Sequence, residues 1–192
     1  MPEESNVAES AASSIWRYAK LVCSAVILMS VLSCVVMAAI RSVGLTHVTI
    51  TALDKDAEPR DHDIPFIKQK DALPDYRVTV NTTVSRINLG AKPNQSATDG
   101  LTWQLPDPVS TTDIASIRLD DQDKLLSDAI AEVQITDDTI TDGNYKFDFG
   151  TARSFSVGLQ SFFGTPVGIA IASAFTIAIL LLIFGLLATI AG

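Results

Sequence analysis

The chain has 192 residues, with 14 Lys and Arg against 22 Asp and Glu and a formal net charge of -8. All the basic residues except Arg17 and Lys20, and all the acidic ones except Glu3, Glu4 and Glu9, lie in residues 41–153, so this middle region should repel nucleic acid and anionic lipid unless a cation intervenes. Residues 21–40 and 167–190 are uncharged and dominated by apolar side chains, each long enough to cross a bilayer core, which takes about 20 residues of helix. The polar region of roughly 100 residues between them matches one ordinary domain and excludes a uniformly buried membrane protein.

Residues 1–14 are small, polar and acidic and are expected to form a disordered tail. Trp16, Arg17, Tyr18 and Lys20 then place aromatic and basic side chains just before a hydrophobic run. That is an interfacial anchor, and its positive charges favour the cytoplasmic side. A first membrane helix is expected over residues 15–41. Its apolar run exceeds the roughly 7–15 residues of a signal peptide. Val31-Leu32-Ser33-Cys34 loosely resembles the box before a lipidated bacterial cysteine, but apolar residues continue past Cys34, so an uncleaved anchor is expected.

Residues 46–53 alternate and are rich in β-branched side chains, which predicts a strand. Residues 54–75 form a long loop rich in Asp and Pro, followed by a strand over 76–80 and a third over 82–89. A turn-rich stretch leads to a short strand over 101–105, stopped by Pro106 and Pro108. Strands over 114–119 and 129–135 flank an acidic loop, residues 137–144 are a polar turn, and 145–149 alternate strictly. Short strands between turn signals predict an all-β sandwich over residues 46–149. The segment 150–163, uncharged after Arg153 and carrying Phe155, Phe162 and Phe163, is expected as an interfacial connector. Pro166 suits the first turn of a second membrane helix over 164–192. Two spans put both termini in the cytoplasm and the domain outside, periplasmic in a bacterial inner membrane.

The strongest chemical signal is the loop holding Asp120, Asp121, Asp123 and Asp128 between two strands. Crowded carboxylates repel unless offset, and a hard cation such as Ca²⁺, which takes six to eight oxygen ligands, is the usual partner. Asp61-His62-Asp63 is weighed as a transition-metal site and set aside, because one His without a second nearby is more often a surface residue. His47 sits in a strand and is expected to be structural. Cys23 and Cys34 are separated along a helix by about 16 Å, too far for a disulfide. Asn81-Thr82-Thr83 and Asn94-Gln95-Ser96 are formal glycosylation acceptors. Ser30, Cys34 and Ala38 recur every fourth residue, as do Gly164, Gly168 and Ala172, a period that lets helix backbones approach closely. No charge lies inside either span, which argues against a transport pathway. The familiar hydrolase, metalloprotease and phosphate-loop patterns do not occur, so the expectation is a non-enzymatic protein without a small-molecule substrate.

At the acidic loop the chain resembles the C2 domain family, β-sandwiches that bind calcium and phospholipid. Asp121-x-Asp123 ends a strand, and Asp128-Ala129-Ile130-Ala131-Glu132 resembles that family's Asp before an Ile-Gly-Glu-like strand start, with Ala131 in the Gly position. Leu53-Asp54 ends a first strand, and Pro74-Asp75-Tyr76-Arg77-Val78-Thr79-Val80 is similar to the family's Asp-Pro-Tyr-Val-x-Val without the Pro after Asp. Asp99-Gly100-Leu101-Thr102-Trp103 sits where the family often has an Asn-Pro-x-Trp entry. The resemblance implies that Asp54 and Asp75 from one loop, and Asp121, Asp123 and Asp128 from another, converge at one end of the sandwich to hold Ca²⁺. Asp56, Asp61 and Asp63 in the long first loop compete for that role, and solvated turn carboxylates on a metal-free sandwich are the alternative.

Two functions follow as expectations. The first is an accessory subunit that stabilises a larger membrane complex, for example respiratory or photosynthetic, through its helices and outer domain. The second is a Ca²⁺-dependent sensor that binds membrane lipid or protein.

Overall fold

The computed structural model describes residues 3–59, 73–122 and 127–191. The chain divides into two compact units, one formed by Met1–Ile40 with Leu159–Gly192 and the other by Arg41–Gly158.

The first unit is a helical hairpin. Helix α1 spans Glu3–Ile40, a short helix α2 spans Phe155–Phe163, and α3 spans Pro166–Ala191. The stretches Ile15–Ile40 and Pro166–Ile190 are long and apolar enough to cross a membrane, with mean hydropathy 2.6 and 2.7. Two expectations change here. Residues 3–14 continue α1 instead of forming a tail, because Glu, Ala and Ser recur there with no Gly or Pro to break the helix. The connector is β-strand up to Arg153 and helix from Phe155, a conformation the sequence reading left unassigned. Trp16, early in α1, meets Gly185, late in α3, while Ile171 at the other end of α3 shares a groove with Val26, Met29 and Ser33 of α1. The helices are therefore antiparallel. The buried residues of α1 and α3 include small ones, Cys23, Ser30 and Ala38 on α1 and Ala178 on α3, while Gly168 lies against the backbone of Phe162 and Phe163 in α2. Large side chains such as Leu21, Leu28, Leu180 and Phe184 point outward. Ser173 and Thr176 donate to the carbonyls of Ile169 and Ala172, both at 2.9 Å, so these hydroxyls are satisfied inside their own helix.

The second unit is built from eight strands, β1 Val43–Ala52, β2 Tyr76–Thr82, β3 Arg86–Lys92, β4 Leu101–Ser110, β5 Ile114–Gln122, β6 Ser127–Val133, β7 Thr139–Asp142 and β8 Tyr145–Arg153. They form two four-stranded antiparallel sheets, ordered β4-β1-β8-β7 and β3-β2-β5-β6. Alternation drives the burial. Val48 and Ile50 of β1, Val78 and Val80 of β2, Ile117 and Leu119 of β5, and Phe147 and Phe149 of β8 face one shared core with Trp103 and Leu105 of β4. The sandwich expected from the strand pattern is thus present. The register of β1 slips between Leu45 and His47, leaving Thr46 as a bulge. That extra residue resets the phase, so Leu45 and Val48 both face inward.

Several strand boundaries differ from expectation; β5 runs on to Gln122 and β6 starts at Ser127, so Asp120, Asp121 and Asp128 stand in paired strands and not in a loop. β4 does not stop at Pro106. It resumes pairing at Val109 and Ser110, with the prolines in the unpaired stretch between the two paired segments. An edge strand tolerates that, because a proline's missing donor need not face a neighbour. β7 lies inside the expected polar turn, since Thr139 and Asp142 pair with Asp148 and Tyr145. Only the two-residue turn Gly143-Asn144 separates β7 from β8, and Gly143 takes the positive φ of 55° that such turns demand. β3 begins after a turn at 83–85 and extends to Lys92.

Candidate functional site: the acidic rim of the sandwich

The register sets two of the expected carboxylates side by side and a third one residue beyond the row. Tyr76 of β2 pairs with Asp121 of β5, and Asp121 pairs with Asp128 of β6, while Asp75 immediately precedes Tyr76. β1 ends at the same rim. Ala52 pairs with Tyr145, whose hydroxyl lies 2.9 Å from that of Tyr76 and joins the two sheets. Asp54 follows two residues after Ala52. Asp54, Asp75, Asp121 and Asp128 therefore all belong to one end of the sandwich. Asp123 lies outside the described residues, as do Asp61, His62 and Asp63.

Each of these side chains has a distinct setting. Asp54 is exposed and caps the short turn Lys55–Ala57 by accepting from the Asp56 N–H at 2.9 Å. Its backbone is held by Asn144, whose Oδ1 accepts the Asp54 N–H and whose Nδ2 donates to the Asp54 carbonyl. Asp75 is half-buried and accepts the N–H of Asn94, while its own N–H donates to Asp121 Oδ1, each at 2.8 Å. Asp121 is buried, with 7% exposure, and Asp128 is exposed. Among the described residues, no group of three or more His, Cys, Asp or Glu side chains comes together in a way that could hold a metal ion.

Asp120, the neighbour of Asp121, points to the opposite face of its sheet. There its carboxylate takes Arg118 Nε at 2.6 Å and Arg77 Nη2 at 3.3 Å. This carboxylate of the acidic stretch is thereby neutralised on the outer face of β2 and β5. On the same two strands, Asn81 donates to Ser116 Oγ at 2.9 Å, which commits the amide of that glycosylation triplet to the sheet. Asn94, in the second triplet, is exposed in a turn at φ 50°.

Sequence reasoning missed Glu58, which is buried at 5% exposure. Its carboxylate accepts from the Ala97 N–H at 2.6 Å, the Ser96 hydroxyl at 2.8 Å and the Tyr76 phenol at 3.1 Å. Nothing in a loop of Asp, Glu and Pro marks one carboxylate as buried. The signal lies across the chain, in Ser96-Ala97 and Tyr76, and appears only when the turns meet. Burial pushes the Tyr76 phenol well above its ordinary value, with the bond to Tyr145 and the charge of Glu58 adding to it. Burial also raises Tyr145 against the opposing bond to Tyr76, with the charges of Glu58 and Asp121 adding to the rise. Both phenols are therefore held as hydrogen-bond donors.

His47 has its Nδ1 3.1 Å from Thr46 Oγ1, and its ring covers Gly150 of β8, where a Cβ would collide with it. This is a packing role, in keeping with the structural part expected of it. Of the expected helix-packing residues, Ser30, Ala38 and Gly168 are buried, and Cys34 and Ala172 are half-buried. Gly164 is exposed in the turn between α2 and α3, so it does not belong to the contact face. Gly185, which the fourfold spacing did not include, receives the Trp16 ring.

No protein-family model matches the chain, and no curated protein matches it in sequence.

Proposed function

We propose that this is a membrane-anchored, non-enzymatic interaction protein whose C2-like sandwich is displayed at the membrane surface to dock a partner, as an accessory subunit of a larger membrane complex. The observation that carries the reading is the way the chain enters and leaves the sandwich. α1 ends at Ile40 and β1 begins at Val43, while β8 ends at Arg153 and α2 begins at Phe155. A domain tethered so tightly at both ends works beside the bilayer and has little freedom to search for distant ligands. Helices that bury residues as small as Ser30 and Ala38 and seat the Trp16 ring on Gly185 leave their large apolar side chains for lipid or for other membrane subunits. Arg17 and Lys20 favour cytoplasmic termini and a periplasmic sandwich. Gentle solubilisation followed by identification of co-purifying subunits tests the proposal. A stable set of membrane partners is expected, and a lone monomer under every mild condition overturns it.

A second reading, a Ca²⁺-dependent sensor for lipid or protein, is favoured by Asp75, Asp121 and Asp128 together with Asp54 at the same rim. The order of the acidic connections, after β1 and after β5, is what the C2 resemblance implies. A bound cation would offset the carboxylates' repulsion and give the rim a positive face for an anionic partner. Ca²⁺ at 100 times its dissociation constant would stabilise the sandwich by about 2.7 kcal/mol. Calorimetry on the full chain in detergent should show that rise in melting temperature with Ca²⁺. No heat of binding and no thermal shift would remove this reading and leave the first intact.

A further inference from the structure

Glu58 is the buried charged side chain that the readings above leave unused. Its three partners are all donors, and they come from separate parts of the sandwich, Tyr76 from β2 and Ser96 and Ala97 from the β3–β4 turn. Glu58 itself belongs to the β1–β2 connection, following the turn that Asp54 caps. Ala97 is a junction in its own right, because its carbonyl accepts the N–H of Ala52 at the end of β1 and of Gly100. Among the described residues, Glu58 forms no ion pair. A buried carboxyl group is held by the donors aimed at it.

The hydrogen-bond chemistry fixes a direction. The Tyr76 hydroxyl donates to Glu58 Oε1 at 3.1 Å. Its single proton is then committed, and Tyr145 must donate to Tyr76 across their 2.9 Å contact. The resulting chain, Tyr145 to Tyr76 to Glu58, runs from one sheet through the other into the rim, and its members polarise one another in the same sense. Tyr76, Tyr145 and Ala97 belong to the apolar core, and the two tyrosines also pair in the ladders, whereas Glu58 stands in no strand and reaches the core only through these bonds.

We propose that Glu58 is a latch that ties the β1–β2 connection to the β3–β4 turn and so positions the acidic rim, including Asp54 and Asp75, for its ligand. The latch is separable from folding. It deepens the cation reading of the rim and rests on that reading only for the ligand it serves. Asp75 is drawn in because its carboxylate holds the Asn94 N–H at the start of the same turn.

The test uses the full chain in detergent micelles, with hydrogen exchange resolved by peptide and Ca²⁺ as the probe ligand. Glu58→Gln keeps the shape and removes the charge. Tyr76→Phe keeps Glu58 and removes one donor along with the link to Tyr145. In Glu58→Gln, amides of residues 94–100 and 54–58 should exchange about ten-fold faster, with β5 and β8 unchanged, as expected of a local opening. Tyr76→Phe should show the same pattern to a smaller degree. Ca²⁺ affinity should fall by about ten-fold or more in Glu58→Gln, in the manner of residues that orient ligands without touching the ion. Unchanged exchange in both turns overturns the latch. So does loss of protection throughout the strands in both variants, because Glu58 would then be part of the folding core. If the wild-type chain binds no Ca²⁺ but the exchange pattern appears, the latch stands and the cation reading falls. If wild type and Glu58→Gln bind Ca²⁺ equally, the positioning role falls and the rim reading stands.

Discussion

Asp120 and Asp121 are adjacent in sequence and opposite in consequence. The strand's twofold period sends Asp120 outward to Arg77 and Arg118 and turns Asp121 to the Asp75 N–H. Removing the buried Asp120 carboxylate leaves two guanidinium groups without their shared acceptor. Asp120→Ala should therefore lower the sandwich's stability by about 1–3 kcal/mol, less than for a fully buried pair because both arginines are partly solvated. The urea midpoint of the sandwich transition measures it. The two core phenols make a second residue-scale prediction. In the unfolded chain Tyr76 and Tyr145 ionise near 10.0, whereas in the folded domain both keep their protons to higher pH. Above that value the folded state binds more protons than the unfolded one. Stability that is fully present below about pH 10 is therefore lost as pH rises past it. Melting temperature recorded against alkaline pH should fall more steeply for the wild type than for Tyr145→Phe. Neither effect was legible in a single stretch of sequence. Asp120 and Asp121 look alike in a run of acids, and Glu58 is indistinguishable from its solvated neighbours until Ser96, Ala97 and Tyr76 are brought against it.

At the scale of elements, periodicity served well where one face of a strand is buried, and it weakened at edges. β1, β2, β5 and β8 are central strands, and their alternating apolar residues announced them. β7 and the second half of β4 lie on an edge, where polar residues and prolines are tolerated, so their composition resembled turns. In the helices the fourfold spacing of small residues picked out Ser30 and Ala38, which are buried, and passed over Gly185. The partner that makes Gly185 necessary is Trp16, far away in the chain. Gly185→Ala would push a methyl group into that indole. It should weaken the hairpin by about 1–3 kcal/mol, the usual cost of overpacking, read as a lower denaturant midpoint for the helix pair and a changed Trp16 emission. Gly168→Ala should be worse tolerated than Gly185→Ala, because its Cβ meets the Phe162 carbonyl, which is backbone and cannot swing aside.

For the whole molecule, two compact units with separate interiors predict two separate transitions. The sandwich holds its core through Trp103, Phe147 and the aliphatic residues around them, whereas the helices expose theirs. Heating the chain in detergent should abolish the β signal and near-ultraviolet ellipticity while most of the helical signal survives. A single cooperative loss of both would contradict the division. The sequence by itself determined this division, because an uncharged apolar run and an alternating polar one record their surroundings residue by residue. It also determined which carboxylates sit at the strand ends. Only the tertiary structure decided which charges are buried, which are paired and which turn closes on which. Those outcomes depend on contacts between residues far apart in the chain, such as Glu58 with Ala97, Tyr76 with Tyr145 and Arg77 with Asp120. The acidic stretch thus carries two buried carboxylates, one paired with arginines and one turned to a backbone N–H, and the rim it borders meets a glutamate that no local pattern singles out.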